Sequence, residues 1–445
     1  MRTVPMIWAV LALSGCAVGP VFTPPEMALP DRYARLEPVS NASAADMQWW
    51  LHFNDPLLTH LVETAATDNL DLAESQARLL EAAAVARRDG NRLTGDAELT
   101  TTGTDDARTA EASLGVSAQI GLAGEQRWRA KGAAQRLEAA RFDTEGARRA
   151  IMTEVGVAYV DLRFAQASLR SRQQDLASRR RTLSDIQRLL DAGAATQLDL
   201  LRAQTLVSET QVQIPGLSAS LVRNRNRIST LLGQPVGSSP INLDYTGSQP
   251  DPAMRTVAGV PADLLRARPD IRQNERLYAA AVSDMGAAEA ARYPSLSLRG
   301  TISTPLNGGP DGARLVAGLA MPLFNQPALA ASVDAAEARA DQAYLRWQRA
   351  VLSAVEEVEN SQANLQASIA EKAEAQRLVD LNRRALDLSR DLLTNRGTIT
   401  VLDVLDRERA LSEARTQLAR SQRDQAIDYI ILLTVIGRGH ALDTP

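Results

Sequence analysis

The stretch GAATQLDLLRAQTL, residues 193–206, returns as GTITVLDVLDRERA, residues 397–410. Both open on Gly, reach Leu-Asp five and six residues later, and place a Leu two positions beyond the Asp. An ungapped overlay matches Gly193 with Gly397, Leu198 with Leu402, Asp199 with Asp403 and Leu201 with Leu405. It continues through Ser208/Ser412, Glu209/Glu413, Gln213/Gln417, Thr230/Thr434 and Gly233/Gly437. Agreement over this length without a gap marks an internal duplication. Each opening Gly stands where one helical pattern stops and another starts, and Gly admits the left-handed backbone that such a reversal needs.

Working outward, each half follows the same grammar. In the first, an Ala-rich helix spans Asp68 to about Arg92, and segments of strand character follow near Ala97–Thr104 and Ser113–Ile120. A very long helix runs from Glu125 to Leu190, and after the Gly193 turn another reaches Leu232. The second half repeats this with a helix over Asp270–Ala291, strands near Ser295–Thr304 and Arg314–Met321, a long helix to Leu393, the Gly397 turn and a helix to Ile436. The expected organisation is repeat 1 over 48–233, a linker over 234–260 rich in Pro, Gly and Ser, repeat 2 over 261–437 and a tail over 438–445.

The long helices carry a coiled-coil seam. Ile151, Val155, Ala158, Leu162, Ala165 and Leu169 alternate spacings of four and three, and Leu176, Leu183, Ile186 and Leu190 stay on it. Val351, Val355, Val358, Leu365, Ile369, Val379, Leu386 and Leu393 follow a matching seam with polar interruptions. A sustained seven-residue repeat winds helices around neighbours, unlike the 3.6 period of a helix lying on a globular core. At about 1.5 Å per residue such a helix approaches 100 Å, far beyond what a compact domain uses. Pro215 should kink the helix after Gly193; its counterpart is Ala419.

Composition agrees with long helices: of 445 residues only 4% are aromatic, and the net charge of −4 mixes both signs. Nothing there points to nucleic acid. His52, His60 and His440 are far apart with no ligand spacing, so no metal is expected. No phosphate-binding Gly loop, nucleophile elbow or ligand cluster marks an enzyme.

Residues 1–15 place one basic residue before an apolar run from Val4 to Leu13 and then small residues, which reads as an export signal too short to span a bilayer. Leu13-Ser14-Gly15-Cys16 resembles the bacterial lipobox, in which the Cys becomes the acylated first residue; the other reading is a free Cys beside an ordinary cleavage site. Diacylglycerol and an N-acyl chain are the expected covalent groups, with no other cofactor, and several acyl chains anchor stably. Ala17 rather than Asp leans toward outer-membrane placement. Residues 16–47, rich in Pro and small polar residues, read as an extended tether.

The four strands suit either a soluble sheet or a membrane barrel. The polar connectors TDDARTAEA and PLNGGPDG, with the export signal, favour the barrel. Four strands cannot close one, since about eight are the minimum and an eight-stranded interior is filled by side chains. An open edge cannot sit in lipid, where each unpaired backbone group costs several kcal/mol. Three copies, pooling twelve strands, are therefore the fewest that leave a lumen.

The ordered set Cys16-Ala-Val-Gly-Pro20, Trp49-Trp50…Phe53…Asp55-Pro56-Leu57, Arg268-Pro269-Asp270-Ile271, Tyr293-Pro294-Ser295-Leu296 and both Gly turns resembles the TolC superfamily of outer-membrane efflux proteins, in its OprM/NodT-like lipoprotein branch. The resemblance covers nearly the whole mature chain. It implies a mainly α fold with a small β part: a homotrimer with a twelve-stranded β-barrel in outer-membrane lipid, continued by a long α-helical coiled-coil tunnel in the periplasm. It further implies a passive exit duct for drugs or other small toxic compounds, docked on a periplasmic adaptor (membrane fusion) protein and an inner-membrane pump, commonly of the RND class.

Under this resemblance Gly193 and Gly397 lie in turns at the periplasmic tip, and Asp403 and Asp406 match acidic residues lining the constricted entrance. The same residues read without it are acids complementing a helix N-terminus, worth roughly 0.3–1 kcal/mol. Asp199 repeats the first acid, but Arg202 stands where Asp406 would be, either as an inter-helix salt-bridge partner or as a solvated charge. Thr394 and Ile399 replace an aromatic and a basic latch residue, so the contacts that hold a closed state must differ. The rival to a channel is a lipid-anchored periplasmic coiled-coil adaptor or scaffold.

Overall fold

A computed structural model describes residues 18–27, 48–91, 93–104, 107–238, 241–243, 247–253, 268–393 and 399–436. The signal, Cys16, most of the tether, Thr394, Gly397 and the C-terminal tail lie outside them. In chain order, a 3-10 turn Trp49–Phe53 precedes α1 (Pro56–Asp68), α2 (Leu70–Gly90), β1 (Leu93–Thr104), β2 (Ala107–Gly121), α3 (Glu125–Asp191) and α4 (Gln197–Leu231). The second half gives α5 (Pro269–Ala290), β3 (Ser295–Pro305), β4 (Gly312–Ala320), α6 (Gln326–Asp391) and α7 (Val401–Val435). The repeated order expected from the sequence is present. Among the described residues no helix is long and apolar enough to cross a membrane.

The expected Asp68–Arg92 helix is instead broken after Asp68. Asn69 is extended and caps α2, its Oδ1 accepting from the Asp71 and Leu72 amides at 2.8 and 3.1 Å. The expected loop TDDARTAEA is corrected as well. Ala107–Ala112 belongs to β2 and pairs with Leu99–Thr104, because β-branched Thr on both sides favours an extended ladder over a loop. Pro215 lies inside α4, which remains one continuous element.

Two compact units divide the chain, with breaks after Ala73, Thr144 and Ser353. The first holds the sheet, an antiparallel meander in the order β1-β2-β3-β4. Register sorts its side chains onto two faces. Cross-strand rows on one face read Ala97–Leu114–Ile302–Ala313, then Gly95–Val116–Gly300–Leu315, then Leu93–Ala118–Leu298–Ala317. Between them the opposite face reads Glu98–Ser113–Ser303–Gly312, Asp96–Gly115–Thr301–Arg314 and Thr94–Ser117–Arg299–Val316. The apolar face is bare: Leu114 is 58% and Leu315 80% exposed. Neither β1 nor β4 has a partner on its outer edge among the described residues. Beside the sheet, Trp128 packs with Ala123, Ala287 and Ala290 and donates its indole N–H to the Val18 carbonyl at 2.8 Å. Gly286 is required there, since a Cβ would meet the Trp128 ring at 2.6 Å.

The second unit is built around the 3-10 turn. Trp49 and Trp50 are fully buried, with rings edge to face at 5.7 Å, and Trp49 meets Phe53 at 6.2 Å. His52 Nδ1 and the Tyr429 hydroxyl share a 2.8 Å hydrogen bond. Asp55 caps α1 through the Leu57 and Leu58 amides and accepts from the Tyr159 hydroxyl, which itself accepts from Arg163 Nε at 2.8 Å. Burial and the Asp55 bond push the Tyr159 phenol pKa up. The Trp-Trp…Phe…Asp-Pro signature is thus the aromatic core that seats α3 and α7. The seam behaves as expected at Ile151, Val155, Leu162 and Ala165, all buried, while Ile369 is exposed.

Candidate functional site: the paired helix reversals

α3 stops at Gly193 by a Schellman motif. The Gly193 amide donates to Leu190 O at 2.9 Å and the Ala194 amide to Leu189 O at 2.7 Å, with Gly193 at φ 73°. Three residues later Thr196 opens α4 with a capping box. Its Oγ1 accepts from the Asp199 amide at 3.2 Å, while Asp199 Oδ2 accepts from the Thr196 amide at 3.0 Å. Thr400 and Asp403 repeat this at the start of α7, with Asp403 Oδ2 accepting from the Thr400 amide at 2.8 Å and its hydroxyl at 2.7 Å. The conserved spacing inside the duplication is therefore a helix-start device used twice. Hydrogen bonds from the Thr side chain and then its amide hold both Asp pKa values below the ordinary carboxylate range.

The reversals are drawn together by apolar packing. Val401 and Leu405 of α7 share a cluster with Ile186 of α3 and Leu200, Ala203 and Leu206 of α4. A second cluster joins Val379 and Leu386 of α6 to Val404, Leu411 and Ala414 of α7, with Ile399 packed against it. Ile399 therefore acts through apolar contact. Leu201 remains 51% exposed although its repeat partner Leu405 is buried, so the two copies are used differently.

The charged residues beyond the caps lie on the outside. Asp406 is exposed, 3.9 Å from Arg409 Nη1, whose other terminal nitrogen lies 3.8 Å from Glu209 of α4. Arg202 lies 3.5 Å from Asp199 one turn back on its own helix, so the contact described for it is intrahelical. Of the two readings left open for it, an inter-helix partner or a solvated charge, neither is this contact, which runs to Asp199 of the helix-start cap. Reading the sequence also missed a buried polar layer behind the reversals, formed by Asp175, Arg179, Glu408 and Ser412. Its trace was available as the polar interruptions of the heptad seam.

A family model described as outer membrane efflux protein matches residues 61–234 and 260–438, one match per repeat. Nodulation protein T of Rhizobium leguminosarum bv. trifolii is 34% identical, covering 97% of this chain and 96% of that protein. The pyoverdine export outer membrane protein OpmQ of Pseudomonas putida is 29% identical over 98% of this chain and 97% of its own. Among solved structures, the outer-membrane channel OprN superposes with a TM-score of 0.84 at 26% identity, covering 96% of this chain and all of that one. Two capped helix reversals, a duplicated fold and a match to both halves lead to one conclusion: this chain belongs to the outer membrane efflux protein family.

Proposed function

We propose that this chain is the outer-membrane exit duct of a tripartite efflux system, working as a homotrimer in which three copies pool their strands into one twelve-stranded barrel. One observation carries the reading: a four-stranded sheet with one mainly apolar face, one mainly polar and charged face, and two outer edges unpaired among the described residues. In lipid the edges must be paired, and further copies of the same sheet supply the pairing. A lipid-anchored scaffold has no use for such a face. The duct is passive, so energy comes from an inner-membrane pump, here assigned to the RND class, reached through a periplasmic adaptor. The cargo class is small toxic compounds or drugs.

Acylation at Cys16 fits this placement. Val18, which follows Cys16 by two residues in the sequence, is held by Trp128 seven residues past the end of β2. At the helix reversals, Asp403 and Asp406, with Asp199 and Arg202, form the entrance, where three copies of each carboxylate attract cations and repel one another. Asp199 and Asp403 serve the cap as well; Asp406 has no such duty.

Purified full-length protein in planar bilayers is expected to form ion-conducting pores, and detergent-extracted particles to show threefold symmetry. A non-conducting monomer would overturn the reading. Cys16→Ser should abolish incorporation of radioactive fatty acid, and continued labelling would refute the anchor.

A further inference from the structure

Three residue pairs matched by the internal duplication, Ser208/Ser412, Glu209/Glu413 and Gln213/Gln417, have no part in the helix-start caps. In the fold, Glu209 and Gln213 of α4 and Ser412, Glu413 and Gln417 of α7 border one cavity of about 260 Å³, whose remaining wall is α3. That is many times the roughly 10–15 Å³ that a single water requires.

The floor of this cavity is cationic. Arg172 and Arg179 stand seven residues apart on α3 and so share one face. Arg179 is 7% exposed, and its Nη1 donates to Leu206 O at 3.0 Å and to Thr210 Oγ1 at 2.6 Å. Both acceptors are neutral, and among the described residues no carboxylate forms an ion pair with it. Burial pushes the Arg179 pKa down, ahead of the attraction from Asp175 and Glu408, and Arg172 is close enough to add repulsion. Arg172 donates to Ser412 Oγ at 2.7 Å and Thr416 Oγ1 at 3.2 Å, while its Nε is buried without a hydrogen-bond partner. Its nearest described anion is Asp175 at 3.6 Å, a carboxylate already engaged by Ser412 at 2.6 Å and Arg415 at 3.1 Å.

The rim is mixed. Exposed Arg409 and Arg420 of α7 face Glu209 and Glu413, so the lining as a whole carries four guanidiniums against two carboxylates. A guanidinium does not lose its proton in a protein, and burying one without a counter-ion is costly. Apolar residues would fill the same seam at no loss of stability. Two buried arginines beside an open cavity therefore call for an anion from outside the chain. The planar Arg fork matches the oxygens of phosphate and related ions, and the Gln213 and Gln417 amides at the rim offer further donors.

We propose that this cavity binds a small oxyanion of the inorganic phosphate class, held at the floor by Arg172 and Arg179 and at the rim by Arg420. The bound ion supplies the counter-charge that the chain omits and ties α3 to α4 and α7. The site goes beyond the efflux reading and does not depend on conduction.

The test uses full-length protein in detergent, with inorganic phosphate as the probe and phosphorus NMR line width as the readout. Saturable broadening is expected, reversed by sulfate and not by chloride at matched ionic strength. Arg179→Gln should weaken binding about tenfold or more, the effect of losing one charge-assisted hydrogen bond. Arg420→Ala, at the exposed rim, should weaken it about threefold, as for a solvent-exposed ion pair. Arg180→Gln, exposed on α3 beside Arg179 and outside the cavity, should leave it unchanged. If Arg179→Gln fails to fold, Arg420→Ala decides. Wild type without saturable broadening, the result also expected if a carboxylate of another copy fills the cavity, would overturn the site. Equal affinity in wild type and Arg420→Ala would do the same. Protein that conducts but binds no phosphate refutes the site and leaves the efflux reading standing; protein that binds phosphate but never conducts does the reverse.

Discussion

Two glycines end helices in the same way and provide a matched experiment. Gly193 and Gly233 are both Schellman residues, at φ 73° and 68°, closing α3 and α4. Alanine at either must hold a left-handed backbone, which costs about 1–2 kcal/mol. Their surroundings differ. A Cβ on Gly193 meets nothing within 4 Å, whereas one on Gly233 falls 2.5 Å from the Asp68 carbonyl oxygen. That carbonyl cannot yield freely, because the next residue, Asn69, is buried and donates from Nδ2 to Leu231 O at 2.8 Å. Forcing an extra carbon into a packed site adds about 1–3 kcal/mol. Gly193→Ala should therefore lose about 1–2 kcal/mol from backbone strain alone, and Gly233→Ala about 1–3 kcal/mol more. Thermal unfolding of both variants in one detergent, followed by far-ultraviolet circular dichroism, measures the difference. Equal losses, or a larger loss at Gly193, would refute the close-approach argument.

Asp403 should contribute to α7 in a pH-dependent way. Its folded pKa lies below that of an ordinary aspartate, so its stabilisation is full above the unfolded-state pKa and disappears as pH falls through the folded value. Slower exchange of the first α7 amides in wild type than in Asp403→Ala is expected at neutral pH, with the gap closing in acid; a gap that widens in acid refutes it. Asp406→Ala should reduce block by multivalent cations in planar bilayers without loosening those amides, and unchanged block would remove Asp406 from the entrance. On the sheet, Leu315→Arg puts charge on the apolar face and should lower the folded, heat-modifiable fraction, by about 2–4 kcal/mol if the site is near the bilayer centre. Val316→Arg, on the polar face, should assemble normally, and equal loss from both would deny that the faces differ.

Features governed by a few neighbouring residues could be read directly. Gly193 announces a left-handed helix end, and Asp199 and Asp403 fall at helix starts because Thr three residues earlier completes a capping box. Alternation through Leu114, Val116, Ala118 and Ile120 identifies a strand with one apolar face. The same reasoning failed within TDDARTAEA, where Ala107–Ala112 looked like loop but pairs in register with β1. Strand ends depend on what the partner offers as much as on local preference.

The partners of charged side chains were out of reach. Arg202 seemed equally suited to another helix or to water until the backbone placed Asp199 3.5 Å away. Glu408 sits in a charged run, RER, yet it is buried against residues 226 and 18 positions distant. Gly156 likewise looks like a weak point in α3, but a Cβ there would meet the Trp49 ring at 2.3 Å, so its reason lies in a residue more than a hundred positions upstream. Periodicity, caps and turns are set by interactions a few residues apart, and one chain carries all of them: the duplication, the long helices, the paired reversals and a sheet too small to close. Which charges are buried, and which seam residues face a neighbour, depends on distant segments meeting in space, so only the folded structure decided them.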